Sequence, residues 1–263
     1  MLPILEVKDL CMDFGGLRAL DHINLEVFSD QIVALIGPNG AGKTTFFNCV
    51  TGIYEPTHGD ILVLSRDDGQ RKRINGLKPN KITELGLART FQNIRLFPNM
   101  TVLENVMIGR HTRTRSWIFG ALFRDKKTVQ EEQETVEVSY NILKKLQLEK
   151  YVNEIASNLP YGAQRRLEIA RALAAEPSLL LLDEPAAGMN PKETKQLEEL
   201  ILQIKEQERV SILLIEHDMK LVMNISEMVY VVEYGRLLAK GSPREIKEDE
   251  RVIKAYLGED HDA

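Results

Sequence analysis

The chain has 263 residues and only two cysteines, Cys11 and Cys49, in no paired or metal-like spacing. That excludes a disulfide framework and a cysteine-ligated zinc site, and both read as buried thiols of a reducing compartment. It has no run of about 18 apolar residues, the length a bilayer-spanning helix needs. Its first residues, Met1-Leu2-Pro3-Ile4-Leu5-Glu6, lack a basic segment followed by a long apolar one, so no signal peptide is expected. Positive charge is not in excess: the net charge is −5 and the pI about 5.7, which argues against a general nucleic-acid binder. Internal repeats and low-complexity tracts are missing too. These absences point to a cytosolic protein that would work at a membrane only through partners. The 43% of hydrophobic residues suffices for a sizeable core, in one large domain or two small ones.

The most informative stretch is Gly37-Pro38-Asn39-Gly40-Ala41-Gly42-Lys43-Thr44-Thr45. It fits the phosphate-binding pattern G-x-x-x-x-G-K-[ST]. The apolar run Gln31–Ile36 before it reads as a buried strand, and Thr45–Val50 can continue as a helix. Glycines let the backbone curl so that successive N–H groups point at a triphosphate, and the helix N-terminus adds its positive dipole end. Lys43 can reach the β and γ phosphates, and the Thr44 hydroxyl can ligate Mg²⁺. A chance match in a glycine-rich turn is the plainer alternative, and the preceding strand counts against it.

Periodicity predicts strands over residues 4–7 and 23–28, with Met12–Gly16 as a turn between them. A turn over Pro56–Asp60 leads into a strand over Ile61–Leu64, and Asp67–Lys78 reads as a polar surface loop. Leu87–Phe91 is a short strand followed by Gln92. Thr101-Val102-Leu103-Glu104 is a capping box, so a helix should start there. From it to about Asn158 the pattern is helical, an inserted subdomain that includes the loop Trp117–Phe123, with Arg110, Arg113, Arg115, Arg124, Lys126 and Lys127 nearby. Two apolar runs, Leu179–Leu182 and Ser211–Ile215, end in Asp183-Glu184 and Glu216-His217. Strands alternating with helices imply a parallel sheet with ligands at the strand C-termini.

The chemistry-bearing residues cluster at those ends. Asp183 can hold a Mg²⁺ shell, and Glu184 can orient and deprotonate an attacking water. The alternative is a solvated strand end. His217 precedes Asp218, a good helix N-cap, and can hydrogen-bond a γ-phosphate and hold the water–glutamate geometry. Lone histidines are more often structural; His22, His58, His111 and His261 lack such placement. Gln92 can ligate Mg²⁺ and touch water, although glutamines are common at strand ends. Phe14 can stack on a purine or simply pack.

Together, Phe14, Gly37–Thr45, Gln92, Tyr161-Gly162-Ala163-Gln164, Leu179–Glu184 and His217 resemble the ATP-binding subunits of ABC transporters over nearly the whole chain. The resemblance implies an α/β phosphate-loop ATPase: a mainly parallel sheet, an antiparallel β subdomain and an inserted helical subdomain. A single domain would cover 1–258, with core segments 1–93 and 166–258, a helical subdomain at 94–165, and a short tail at 259–263. It implies ATP and Mg²⁺, with metal ligation by Thr44, Gln92 and Asp183, and catalysis by Glu184, His217 and Gln92. It also implies a pair of subunits packed head to tail, one phosphate loop facing the other's signature. Here the family's usual Leu-Ser-Gly-Gly-Gln is Leu159-Pro160-Tyr161-Gly162-Ala163. Pro160 removes a hydroxyl and has no N–H, although proline can open a helix. The N–H groups of Gly162 and Ala163 are expected to remain available. Asn190 stands where the family usually has Asp, and can hydrogen-bond across the pair without bringing charge.

The stretches Arg89–Phe97, Tyr161–Glu168, Asp183–Gly188, Glu216–Met219 and Ala255–Gly258 are similar to the G-type ATPases of bacterial high-affinity branched-chain amino acid importers. That resemblance implies a second, homologous ATPase subunit or a second copy. It also implies two membrane permeases, an extracytoplasmic binding protein and a place on the cytoplasmic face of the inner membrane. Urea or amide uptake, lipopolysaccharide export and a soluble ABC ATPase remain as alternatives. A phosphate-loop kinase is countered by the Tyr161–Leu173 region. Trp117–Phe123 would either dock on a permease or lipid headgroups, helped by the nearby arginines, or fold back on the helical subdomain.

Overall fold

The computed structural model describes residues 2–113 and 126–257. The chain divides into two compact units, one of residues 1–89 and 178–263 and one of residues 90–177. Trp117–Phe123 and the tail at 259–263 lie outside the described residues. No described helix is long and apolar enough to cross a membrane.

The first unit holds two sheets. Strands β1 (Leu5–Phe14), β2 (Leu17–Val27), β4 (His58–Leu64) and β5 (Arg71–Arg73) form an antiparallel sheet in the order β2-β1-β4-β5. Strands β3 (Ile32–Ile36), β6 (Leu87–Arg89), β7 (Leu179–Asp183), β8 (Ser211–Ile215), β9 (Met228–Glu233) and β10 (Arg236–Gly241) form a second sheet in the order β10-β9-β3-β8-β7-β6. Only β10 runs antiparallel to its neighbour.

The side-chain period of two explains how β3 serves both faces. Val33 and Leu35 enter a core shared with the antiparallel sheet, with Phe46 and Phe47 of α1 (Lys43–Val50) and with Ile82 of α2 (Pro79–Glu84). Ala34 and Ile36 point the other way. They pack with Val222 of α7 (Met219–Ile225), Ile246 of α8 (Pro243–Glu248) and Val252 of α9 (Glu250–Leu257). A strand covered on both faces is apolar except at its ends, and all five residues of β3, β7 and β8 are buried, with Asp183 and Ser211 as the terminal polar residues.

Three predicted boundaries move. β1 and β2 run much further than residues 4–7 and 23–28, and only Gly15-Gly16 turns between them. Register shifts flank Asp9 and His22, whose φ values are 53° and 55°, and these bulges break the alternation that marks a strand. The predicted turn at Pro56–Asp60 is already strand from His58. Within the predicted loop 67–78, Arg71–Arg73 pairs with β4 as a charged edge strand, a position where no apolar pattern is required.

The second unit is helical. Its described helices include α3 (Val102–Gly109), α4 (Lys126–Lys145) and α5 (Tyr161–Leu173). The capping box forms as expected: Thr101 Oγ1 accepts from Glu104 N, and Glu104 accepts from Thr101 N at 2.7 Å. Arg110 is buried and ion-paired to Glu176 at 2.6 Å, and Arg113 donates to the Ala175 carbonyl at 2.8 Å. These two arginines therefore tie this unit together internally, and are not presented to lipid as their sequence neighbourhood suggests.

Candidate functional site

Parallel strands bring their C-terminal ends to one edge. Leu35 of β3 lies opposite Ile215 of β8, and Ile215 lies opposite Asp183 of β7. One row across the sheet therefore precedes Gly37, Glu216-His217 and Glu184 together, although these residues are up to about 180 positions apart.

The loop from Gly37 to Gly42 fits a bound anion. A Cβ at Gly37 would collide with the carbonyl oxygen of Val232, and one at Gly42 would lie 2.7 Å from Ala19 O. Gly42 is the N-cap of α1 at φ 101° and offers no side-chain cap. The first amides of a helix have no intrahelical acceptor, so those of Lys43, Thr44 and Thr45 face the loop with a positive dipole end behind them. Lys43 is buried, and its Nζ donates to Gly37 O at 2.6 Å and Pro38 O at 2.8 Å, holding its charge over the curled backbone. Thr44 is exposed at this end of α1.

Glu184 sits just past β7 with φ 48°, a backbone region that costs a non-glycine residue on the order of 1–3 kcal/mol. Its amide donates to Ile215 O at 2.9 Å, which anchors the turn to β8. Its Oε1 then meets His217 Nε2 at 2.6 Å. Asp218 caps α7, accepting from Lys220 N and Leu221 N, so the histidine is held between a strand end and a capped helix. Two of the three residues expected to serve catalysis, Glu184 and His217, are thus brought together.

Asp183 is buried, and its Oδ2 accepts from Arg89 Nη2 at 2.6 Å. Phe14 ends β1 half exposed, with its ring edge-to-face with Tyr54 at 5.2 Å between centroids. Gln92 is exposed and falls in the second unit, three residues past β6.

The signature region opens α5, with Pro160 as N-cap. Its carbonyl accepts from Ala163 N at 2.9 Å and from Gln164 N at 3.0 Å, which corrects the expectation that the Ala163 amide is available. Ala163 is also buried, whereas Tyr161 is exposed and its hydroxyl accepts from Arg165 Nε at 3.1 Å. Gly162 stands in the first helical turn, where amides lack intrahelical acceptors. Asn190 caps α6 (Pro191–Glu208): its Oδ1 accepts from Lys192 N at 3.0 Å and Glu193 N at 3.1 Å. That oxygen is committed to its own helix.

Sequence reasoning gave no role to Arg89, Tyr54 or Glu216. Glu216 is buried, and its Oε1 accepts from Ala186 N at 2.7 Å while Oε2 accepts from His217 N at 3.0 Å. Burial pushes its carboxyl above the usual range, against the opposing pull of these amide donors. The available signal was an acid directly after four apolar strand residues, Ile212–Ile215, a place a solvated carboxylate seldom takes.

A glycine loop between a central buried strand and a helix, with an acidic pair at the end of a parallel strand one further along the same sheet, defines a phosphate-loop nucleoside triphosphatase. Comparison with known proteins narrows this. The family model described as ABC transporter matches residues 20–187, and that described as branched-chain amino acid ATP-binding cassette transporter matches residues 236–262. The chain is 49% identical over 257 residues to the high-affinity branched-chain amino acid transport ATP-binding protein LivG of Escherichia coli K12, covering 98% of each. It is equally 49% identical to BraF of Pseudomonas aeruginosa, a protein of the same description, again over 98% of each. A solved ATP-binding cassette of an ABC transporter, in its ADP conformation, is 30% identical with a TM-score of 0.83, covering 98% of this chain and all of that one. The chain belongs to the family of ABC transporter ATP-binding proteins.

Proposed function

We propose that this chain is the ATP-hydrolysing subunit of an importer for branched-chain amino acids, acting as one ABC ATPase domain over residues 1–258 with a short tail at 259–263. The observation that carries hydrolysis is the 2.6 Å contact between Glu184 Oε1 and His217 Nε2 at the strand ends beside the phosphate loop. The solute assignment is supported by the 49% identity to two branched-chain amino acid transport proteins and by the match over residues 236–262.

In this reading Gly37–Thr45 wraps the triphosphate with backbone amides, and Lys43 turns its ammonium from the loop carbonyls to the β and γ phosphates. Phe14 stacks on the adenine. Thr44 and Asp183 would hold Mg²⁺, which when bound neutralises charge developing on the phosphate oxygens. Glu184 accepts the proton of the attacking water, and His217 holds that carboxylate and contacts the γ-phosphate. Tyr161 and Gly162 form the edge offered to a second, homologous subunit or a second copy of the chain. That pair works on two permeases at the cytoplasmic face of the inner membrane, with an extracytoplasmic binding protein delivering solute and no nucleic acid involved.

Uptake of labelled leucine by cells lacking this chain tests the assignment. Loss of uptake, restored by the wild-type chain and not by Glu184→Gln, is the expected result. Unchanged leucine uptake would overturn the solute, and recovery of the protein from membranes without permeases would overturn transport.

A further inference from the structure

We infer that Glu216 is a positioning residue for ATP hydrolysis, a buried carboxylate that locks the loop carrying Glu184 to the loop carrying His217. The inference rests on the proposed roles of those two residues and concerns a residue to which no chemistry has been assigned.

The geometry is that of a two-sided clamp. Glu216 follows β8 directly and is 3% exposed. On one side, Oε1 accepts the Ala186 amide at 2.7 Å, two residues beyond Glu184. On the other, Oε2 accepts the His217 amide at 3.0 Å and the Asp218 amide at 3.4 Å. Each oxygen thus serves a different loop. The segment after β7 is otherwise tied to β8 by the Glu184 amide on Ile215 O, and turns on itself through Ala187 N to Glu184 O and Met189 N to Ala186 O. Glu184 itself has φ 48°, a conformation that persists only where its surroundings impose it.

A carboxylate is the side chain suited to this task. It offers two acceptor oxygens and no donor, whereas a carboxamide of the same shape offers one oxygen and an NH₂. In a Glu216→Gln protein one loop would therefore face an N–H with its own N–H. Hydrogen bonds to an ionised acceptor are also roughly twice as strong as neutral ones. Both oxygens are taken up by loop amides, so the clamp acts through where it sets Glu184 and His217. Misplacement of reacting groups by about 1 Å costs on the order of a hundredfold in rate, so partial loosening should cost about tenfold.

The test is a double-mutant cycle on ATP hydrolysis by the full chain, using Glu216→Gln, His217→Ala and the double variant, with thermal midpoint and ATP binding recorded for each. A positioning role predicts about a tenfold fall in kcat for Glu216→Gln, with KM for ATP within about twofold. In the His217→Ala background the same change should cost less than about twofold, because the geometry it protects is already broken. A tenfold cost in both backgrounds, a raised KM at unchanged kcat, or wild-type kcat would overturn the inference. If Glu216→Gln does not fold, Glu216→Asp takes its place in the cycle. It keeps the charge and both acceptors but is one methylene too short to span both loops, and the same outcomes decide. Failure of the wild-type chain to hydrolyse ATP would instead refute the proposed function.

Discussion

Arg89 Nη2 donates to Asp183 Oδ2 at 2.6 Å, with 6% and 4% of the two side chains exposed. Nη1 donates to Asn48 Oδ1 at 2.8 Å and Thr51 Oγ1 at 3.1 Å, and the guanidinium lies 5.4 Å from the centre of the Phe47 ring. The acid proposed to hold the metal is thus also half of a buried ion pair that joins β6, β7 and α1. Such a pair adds little net stability while intact, but removing one partner leaves an uncompensated charge.

Arg89→Met should therefore destabilise the protein by about 3–5 kcal/mol, the range for a broken buried pair. Urea unfolding measures this, and a cost below about 1 kcal/mol would show that water reaches Asp183 and solvates it.

Glu184→Gln should keep ATP binding and abolish turnover, because the carboxamide cannot accept a proton from water. Nucleotide binding and phosphate release, measured side by side, separate the two effects. Unchanged phosphate release would refute Glu184 as the base.

Pro160→Ser should act twice. Serine is a favoured N-cap where proline offers no side-chain acceptor, a change worth about 1 kcal/mol to α5. It also restores a hydroxyl at the edge proposed to meet the partner's nucleotide. Thermal midpoint should rise, and ATP-driven self-association of a Glu184→Gln background should strengthen in sedimentation. A higher midpoint with unchanged association would limit the effect to capping.

Burial pushes the Cys49 thiol up to about 12 from its ordinary value of 9.0. A raised folded value means the native state keeps its proton while the unfolded chain ionises. The contribution to stability is complete below pH about 9, and is lost as pH rises through about 12. Between pH 9 and 12 the urea midpoint of wild type should fall more steeply than that of Cys49→Ala. Parallel slopes would mean that the thiol ionises equally in both states. Cys49 should also react with thiol reagents only after unfolding, since the thiolate is the reactive form.

Local chemistry was legible in the residues themselves. Gly37–Thr45 announces its loop because the left-handed turns and the close approach of Val232 and Ala19 admit only glycine at 37 and 42. Leu179–Leu182 and Ile212–Ile215 announce buried strands because the interior of a strand covered on both faces is apolar. Thr101 and Asp218 announce helix starts because short side-chain oxygens there meet otherwise unsatisfied amides. The charged edge strand at Arg71–Arg73 and the bulged ends of β1 and β2 were not legible, since pairing alone makes them strands.

What only the tertiary structure decided is which of these groups meet. Glu184 and His217 are 33 positions apart, and a parallel register that pairs Asp183 with Ile215 sets their 2.6 Å contact. The same register gives Glu216 its two loops, and the pairing of β6 with β7 gives Asp183 its arginine. A hydrogen-bond donor in the sequence is only a capacity. Which acceptor it takes depends on distances of about 3 Å that long-range strand pairing and helix packing alone establish.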